Sequence, residues 1–168
     1  MTEESERERG QAAARRERLF LAVVDDSPER SVALRYAALA AARGGGRVAL
    51  LRVVEPPGQT EWAGVAEMMR EERRAEAEQL LQGLAAEVNR ITGSVPILYV
   101  REGEAREELL KLLAEEPAIS VLVLASSTSS EGPGPLITAL TGRYNRLLRT
   151  PLVIVPGSLS DQELETVT

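Results

Sequence analysis

The stretch FLAVVDDSPE, residues 20–29, decides how the first part of the chain folds. Its apolar residues end abruptly at Asp25 and Asp26, and a serine and a proline follow. A continuous apolar run with polar borders is typical of a parallel strand that is covered on both faces. Acids at the end of such a strand can hold a metal for phosphoryl transfer, hold a nucleotide ribose, or cap the next helix. The stretch therefore predicts a strand-to-helix turn with a choice of functions.

The same alternation of strand-like and helix-like segments continues along the chain. The predicted strands span residues 19–24, 47–54, 94–100, 119–125 and 151–156. The predicted helices span residues 28–43, 61–91, 104–116 and 136–148, the last of them interrupted at Gly142. Helical crossovers favour parallel neighbours and right-handed connections. The chain is therefore expected to form an α/β fold, a three-layer α/β/α sandwich around a five-stranded, mostly parallel sheet.

In sheets of this kind, ligands bind outside the carboxyl ends of the strands, where the strand order reverses. Two loops are expected to meet there, residues 25–28 and residues 126–135. The remaining domain boundaries follow from composition. A charged, flexible N-terminal arm is expected over residues 1–17, the folded domain over 18–157, and an acidic C-terminal tail over 158–168.

Composition excludes several classes of function. The chain has 168 residues and a formal net charge of -6, which disfavours nucleic acid as a partner. It contains no cysteine and no histidine, so it lacks a thiol nucleophile, a thiolate metal site and the commonest general base. No apolar run approaches the ~20 residues of a membrane span. The charged start is unlike a signal peptide, so a cytoplasmic protein without membrane insertion is expected.

The opening VVDDSPE resembles the start of phosphorylatable receiver domains, which use paired acids for magnesium. The resemblance ends there. A receiver also needs an aspartate at the end of its third strand, and this strand ends in Val100, Arg101 and Glu102. The lysine expected after the last strand is replaced by VPGS, and the one lysine of the chain is Lys111, inside a predicted helix. The receiver interpretation is therefore disfavoured.

The chain resembles the universal stress protein family over residues 18–157. The similar parts are VDDSPE before an alanine-rich helix, LLRVVEPP at the second strand, Arg-Glu-Gly before a short helix, and VLVLASS followed by NRLLRTPLVIVP. The resemblance implies a Rossmann-like fold of the adenine nucleotide alpha hydrolase type. It also implies a stress-response protein that binds ATP or a related adenine nucleotide, with Mg or Mn as an optional companion. Such a protein acts through protein contacts and not as a dedicated enzyme, although weak ATP hydrolysis is compatible with it.

The family's nucleotide motif reads Gly, two residues, Gly, nine residues, Gly, then Ser or Thr. Its glycines let the backbone approach phosphates. This chain departs from the motif, and two alignments stay open. Counting back from Gly142 gives Gly132 and Ser129, whereas counting forward from the strand end gives Ala125 and Thr128, so each alignment loses at least one glycine.

By the same resemblance, the adenine contact falls on the backbone of Val53 and the ribose contact on Asp25. The candidate ligand-binding residues are Asp25, Val53, Ala125, Ser126, Gly132, Gly134, Gly142 and Arg143. Several have simpler alternatives. Arg143 stands where a hydroxyl residue is expected, and it is either a phosphate ligand or a surface arginine. The Gly-Pro-Gly-Pro segment is either a phosphate cradle or a stiff turn. Asp26 or Ser27 is expected to cap the helix that Pro28 opens.

The resemblance also bears on partners. A homodimer is expected through the terminal strand, residues 151–156, because an apolar edge strand invites pairing. A further protein partner of unknown identity is expected too. The alternative is a member of the same fold that binds no nucleotide and serves as an interaction module, for example as a transporter regulator.

Overall fold

The computed structural model of the protein describes residues 17–58 and 62–168, so nearly all of the predicted N-terminal arm lies outside the described residues. Strands and helices alternate along the described chain. In order they are β1 (Leu19–Val23), α1 (Arg30–Gly44), β2 (Arg47–Val54), α2 (Ala63–Thr92), β3 (Ile97–Glu102), α3 (Ala105–Glu115), β4 (Ile119–Ser126), α4 (Pro135–Thr141), β5 (Leu152–Pro156) and α5 (Asp161–Val167). A short 3-10 helix, Asn145–Leu147, lies between α4 and β5.

The strands form one sheet in the order β3-β2-β1-β4-β5, and each neighbouring pair is parallel. The chain moves outward from β1 to β3 and then returns to the other side of β1 with β4. The strand order therefore reverses between β1 and β4, and a crevice opens at their carboxyl ends. This topology confirms the predicted α/β fold.

Alternate residues of the central strands pack against helices on opposite faces of the sheet. On one face Ala22 and Leu50 pack with α1, α2 and α5, and on the other Leu21 and Leu51 pack with α3 and α4. All four side chains are fully buried. The apolar runs of the sequence have this origin, because a strand covered on both faces cannot expose a polar residue on either side.

Two details of the helix starts differ from the sequence prediction. The helix α1 begins at Arg30, and its N-cap is Glu29, which makes no capping hydrogen bond with its side chain. The prediction that Asp26 or Ser27 caps a helix opened by Pro28 is therefore wrong. The carboxylate of Asp25 instead accepts hydrogen bonds from the backbone N–H and the hydroxyl of Ser27, which keeps residues 25–28 in a turn.

The residues that the sequence sets apart as an acidic tail form the helix α5. A capping box starts it, since Ser160 accepts from the Glu163 N–H and Glu163 accepts from the Ser160 N–H. Leu164 is fully buried in the same apolar cluster as α1. Arg43 at the end of α1 donates to the Glu165 carbonyl at 2.6 Å, so α5 is part of the folded domain.

The buried residues of the long helix α2 are Ala77, Leu81 and Val88, which lie in the middle and the second half of the helix. At its start Trp62 is 84% exposed and Met68 is 71% exposed, so simple core packing does not explain these side chains. None of the described helices combines the length and the apolar character that crossing a membrane requires.

Candidate functional site

A cavity of about 640 Å³ lies at the carboxyl ends of β1 and β4. The turn after β1 contributes Asp25, Ser27 and Glu29, and the loop and helix after β4 contribute a second wall over residues 127–139. The two loops that the sequence predicts to converge at the reversal point of the sheet therefore do so.

A second cavity, of about 520 Å³, lies on the β2 side of the same crevice. Its wall includes Arg52, Val53 and Gly103. Val23, Asp25 and Leu136 line both cavities, so they lie at the boundary between them. A ligand with two parts could place one part in each cavity and its middle beside Asp25.

Asp25 is exposed at this boundary. One oxygen of its carboxylate holds the turn after β1, and the other can accept a hydrogen bond from a ligand. Its Oδ1 accepts from the Ser27 N–H at 3.0 Å and from the Ser27 hydroxyl at 2.6 Å. Its carbonyl oxygen accepts from Arg30 at 2.9 Å. Both hydrogen bonds that the carboxylate receives from described residues use Oδ1, which leaves Oδ2 for the hydroxyl of a ligand.

Glu29 connects the two walls of the first cavity. One oxygen of its carboxylate, Oε1, accepts from both the backbone N–H and the hydroxyl of Thr128, each at 2.9 Å. The backbone N–H, and then the hydroxyl, of Thr128 hold the pKa of Glu29 below its usual value. Glu29 is only 7% exposed, so a charged carboxylate sits at the base of the crevice and fixes the loop after β4.

Gly157 lets the end of β5 approach this contact. A Cβ at position 157 would overlap the carbonyl oxygen of Ser126 and the side chain of Glu29. Only glycine fits this close approach without a shift of the neighbouring backbone.

The loop between β4 and α4 satisfies several of its own backbone donors. The Ser127 N–H donates to the Pro133 carbonyl at 2.9 Å, and the Ser129 N–H donates to the Ser127 hydroxyl at 3.1 Å. Gly132 and Gly134 have φ values of 116° and 112°, which other residues rarely adopt. The Gly-Pro-Gly-Pro segment therefore folds back on the strand end.

Arg52 forms the wall between β1 and β2 in the second cavity. It donates to the carboxylate of Asp26 at 2.8 Å and to the carbonyl of Val24 at 3.2 Å. Its side chain is 17% exposed, whereas that of Asp26 is 87% exposed. Asp26 is thus the partner of a largely buried guanidinium and not a helix cap.

The structure brings together five of the eight candidate ligand-binding residues. Asp25, Ala125, Gly132 and Gly134 line the first cavity, and Val53 lines the second. Three candidates line neither cavity: the Ser126 hydroxyl points to the Val155 carbonyl, Gly142 ends α4, and Arg143 lies 5.9 Å from the ring of Tyr144.

Sequence reasoning missed the roles of Glu29, Thr128 and Arg52. Glu29 and Thr128 are 99 residues apart, and no local pattern marks their contact.

Within the described part of the chain, no three acidic side chains come close enough together to hold a metal ion.

Comparisons with known proteins agree with this geometry. The sequence model of the universal stress protein family matches residues 18–156. Among solved structures, the universal stress protein UspA from Lactobacillus plantarum is 15% identical with a TM-score of 0.70, covering 82% of this chain and 97% of that one. No curated protein matches the chain.

Two further similar structures contain ligands. A universal stress protein in complex with cAMP is 16% identical with a TM-score of 0.59, covering 84% of this chain and 98% of that one. The universal stress protein from Archaeoglobus fulgidus in complex with dAMP is 17% identical with a TM-score of 0.57, covering 83% and 97%. At these identities the likeness shows the fold.

Proposed function

The chain belongs to the universal stress protein family, and from this premise we propose that it binds an adenine nucleotide in the crevice between β1 and β4. In this proposal the bound nucleotide alters contacts with other proteins in the cytoplasm, and the protein is not a dedicated enzyme. ATP, the nucleotide expected from the sequence, is one candidate ligand of this site, with an optional Mg or Mn ion, and AMP is another.

The observation that carries the proposal is the position of Asp25 between the two cavities at the reversal point of the sheet. A ribose beside Asp25 would donate a hydroxyl to Oδ2, and a purine would enter the second cavity beside the backbone of Val53. The structures of related proteins with cAMP and dAMP support adenine as the base. The carboxylate supplies a charged acceptor, which strengthens a hydrogen bond to a hydroxyl.

Calorimetric titration with AMP tests the proposal through the variant Asp25→Asn. Asparagine keeps the acceptor that holds Ser27 but replaces Oδ2 with a donor, so affinity should fall about tenfold or more. The matched control is Asp161→Asn, which makes the same change outside both cavity linings and should leave affinity unchanged. Equal affinities for AMP in the wild type and Asp25→Asn would contradict the assigned role of Asp25.

A second candidate function is an interaction module that binds no nucleotide. The closed loop after β4 favours it, because the N–H groups of Ser127 and Thr128 are already used within the protein. A regulator of a membrane transporter is one form of this candidate. Absence of heat with every adenine nucleotide would support it, and a pull-down from solubilised membranes would then test the transporter.

We propose that the protein is a homodimer in either case. The strand β5 lies at the edge of the sheet, and Ile154 on it is 41% exposed. An exposed apolar edge strand invites pairing with a second copy.

A further inference from the structure

We propose that the negative charge of the Glu29 carboxylate sets the ligand preference of the crevice, so that the site accepts adenosine or AMP and disfavours ATP. This inference rests on the proposed function, because it concerns the ligand of the same site. The feature of the ligand that the protein selects is a low number of phosphate groups.

The Glu29 carboxylate already holds a backbone N–H group of the kind that receives phosphate. Loops that receive phosphate do so with backbone N–H groups that have no partner inside the protein. In this chain the Thr128 N–H at the start of the loop already donates to Glu29 at 2.9 Å, and the Thr128 hydroxyl donates to the same oxygen. A phosphate that reached this N–H would have to displace a carboxylate that is nearly buried.

Other N–H groups of the loop after β4 also have partners within the protein. The N–H groups of Ser127, Ser129 and Glu131 donate to acceptors of the same loop. Pro133 and Pro135 have no N–H to offer. A chain of phosphates would therefore find the N–H groups of the first half of this loop already in use.

The charge of the first cavity also disfavours a polyphosphate. The ionisable residues that line the first cavity are three acids, Asp25, Glu29 and Glu131, and one base, Arg30. The guanidinium of Arg30 already donates to the Asp25 carbonyl at 2.9 Å. A triphosphate would bring several more negative charges into a wall that is itself negative, and like charges at short range repel. A nucleoside brings none, and a monophosphate can keep its charge toward solvent.

The second cavity is also more acidic than basic, since four acids and two bases line it. Arg52 is held by Asp26, and the other base that lines this cavity, Arg73, donates to the Glu55 carbonyl. The residues that line it also include Glu55 and Glu76. The neutral purine and ribose fit this composition better than phosphates do.

Calorimetric titrations with adenosine, AMP and ATP in metal-free buffer test the inference. The wild type should bind ATP about tenfold or more weakly than AMP. In Glu29→Gln the carboxamide oxygen still accepts from Thr128 but carries no charge, so ATP affinity should rise about tenfold while adenosine affinity stays constant. The matched control Glu165→Gln removes one negative charge outside both linings and should change neither affinity.

A second variant separates charge from loop mobility. Thr128→Val removes the hydroxyl donor and leaves the carboxylate in place, so it should not gain affinity for ATP. A gain equal to that of Glu29→Gln would overturn the inference, because a looser loop would then explain both. Wild-type protein that binds ATP as tightly as AMP would overturn the inference alone. No binding of any adenine compound by any variant would overturn it together with the proposed function.

Discussion

At the scale of single residues, Glu29 gives the crevice a dependence on pH. Its pKa is lowered chiefly by the Thr128 N–H and then by the Thr128 hydroxyl, both of which favour the ionised form. The stabilisation is therefore complete above the ordinary pKa of 4.5 and is lost as pH falls through the lower pKa of the folded state.

We expect the free energy of unfolding of the wild type to fall more steeply on acidification below pH 4.5 than that of Glu29→Gln. Urea unfolding at a series of pH values measures the difference between the two curves. Among the described residues, the other carboxyl groups whose pKa is lowered are Glu115 and Glu163, which are present in both proteins and cancel in that difference. Parallel curves would show that the contact with Thr128 contributes nothing to the pH dependence.

Residues also mark the limit of sequence reasoning. The sequence predicts the position of Asp25 at the crevice because the apolar run of the first strand ends at this acid. This signal is local in the sequence. The partner of Glu29 lies 99 residues away and is chosen by the topology, so no spacing in the sequence reveals it. Arg143 illustrates the opposite case, since a motif position suggested a phosphate ligand but the side chain lines neither cavity.

At the scale of elements, the strands were the easiest parts to predict. The predicted second strand, residues 47–54, has the observed bounds, because both its ends carry breaks in the apolar pattern. The third strand starts at Ile97 and not at residue 94, since it begins only after Pro96. The helix α5 was missed although Ser160 and Glu163 have the spacing of a capping box, because its acidic composition resembles a tail.

The docked state of α5 leads to a stability prediction. Ser160→Ala removes the capping acceptor and should lower the free energy of unfolding by about 1 kcal/mol. Leu164→Ala leaves a cavity in a fully buried position and should cost about 2–5 kcal/mol. Thr166→Ala, at an exposed position of the same helix, should change stability by less than about 0.5 kcal/mol. Urea unfolding measures all three, and a Leu164→Ala protein as stable as the wild type would mean that α5 does not pack on α1.

At the scale of the whole molecule, the fold was predictable and the finer site was not. Apolar runs that alternate with helical segments restrict the chain to a parallel sheet with helices on both faces, and the reversal of strand order then locates the crevice. The donors left free in the crevice depend on how the loop after β4 closes, which involves Pro133 and Glu29 together. Neither residue alone predicts that closure.

The proposed dimer is tested at the same scale. A charged residue on the exposed edge of β5 should prevent pairing, so Ile154→Glu should convert a dimer into a monomer in size-exclusion chromatography with light scattering. The matched control is Leu98→Glu on the opposite edge strand β3, where the side chain is 36% exposed, and it should leave the dimer intact. Dissociation by Leu98→Glu and not by Ile154→Glu would place the interface on β3 and contradict the proposed pairing through β5.

A crystal structure of the protein grown with AMP would show directly whether adenine nucleotide binds in this crevice. We expect density for the ribose beside Asp25, with the purine next to Val53 and the Thr128 N–H still donating to Glu29. Crevice cavities without nucleotide density in crystals grown at saturating AMP, or adenine bound elsewhere on the molecule, would contradict it.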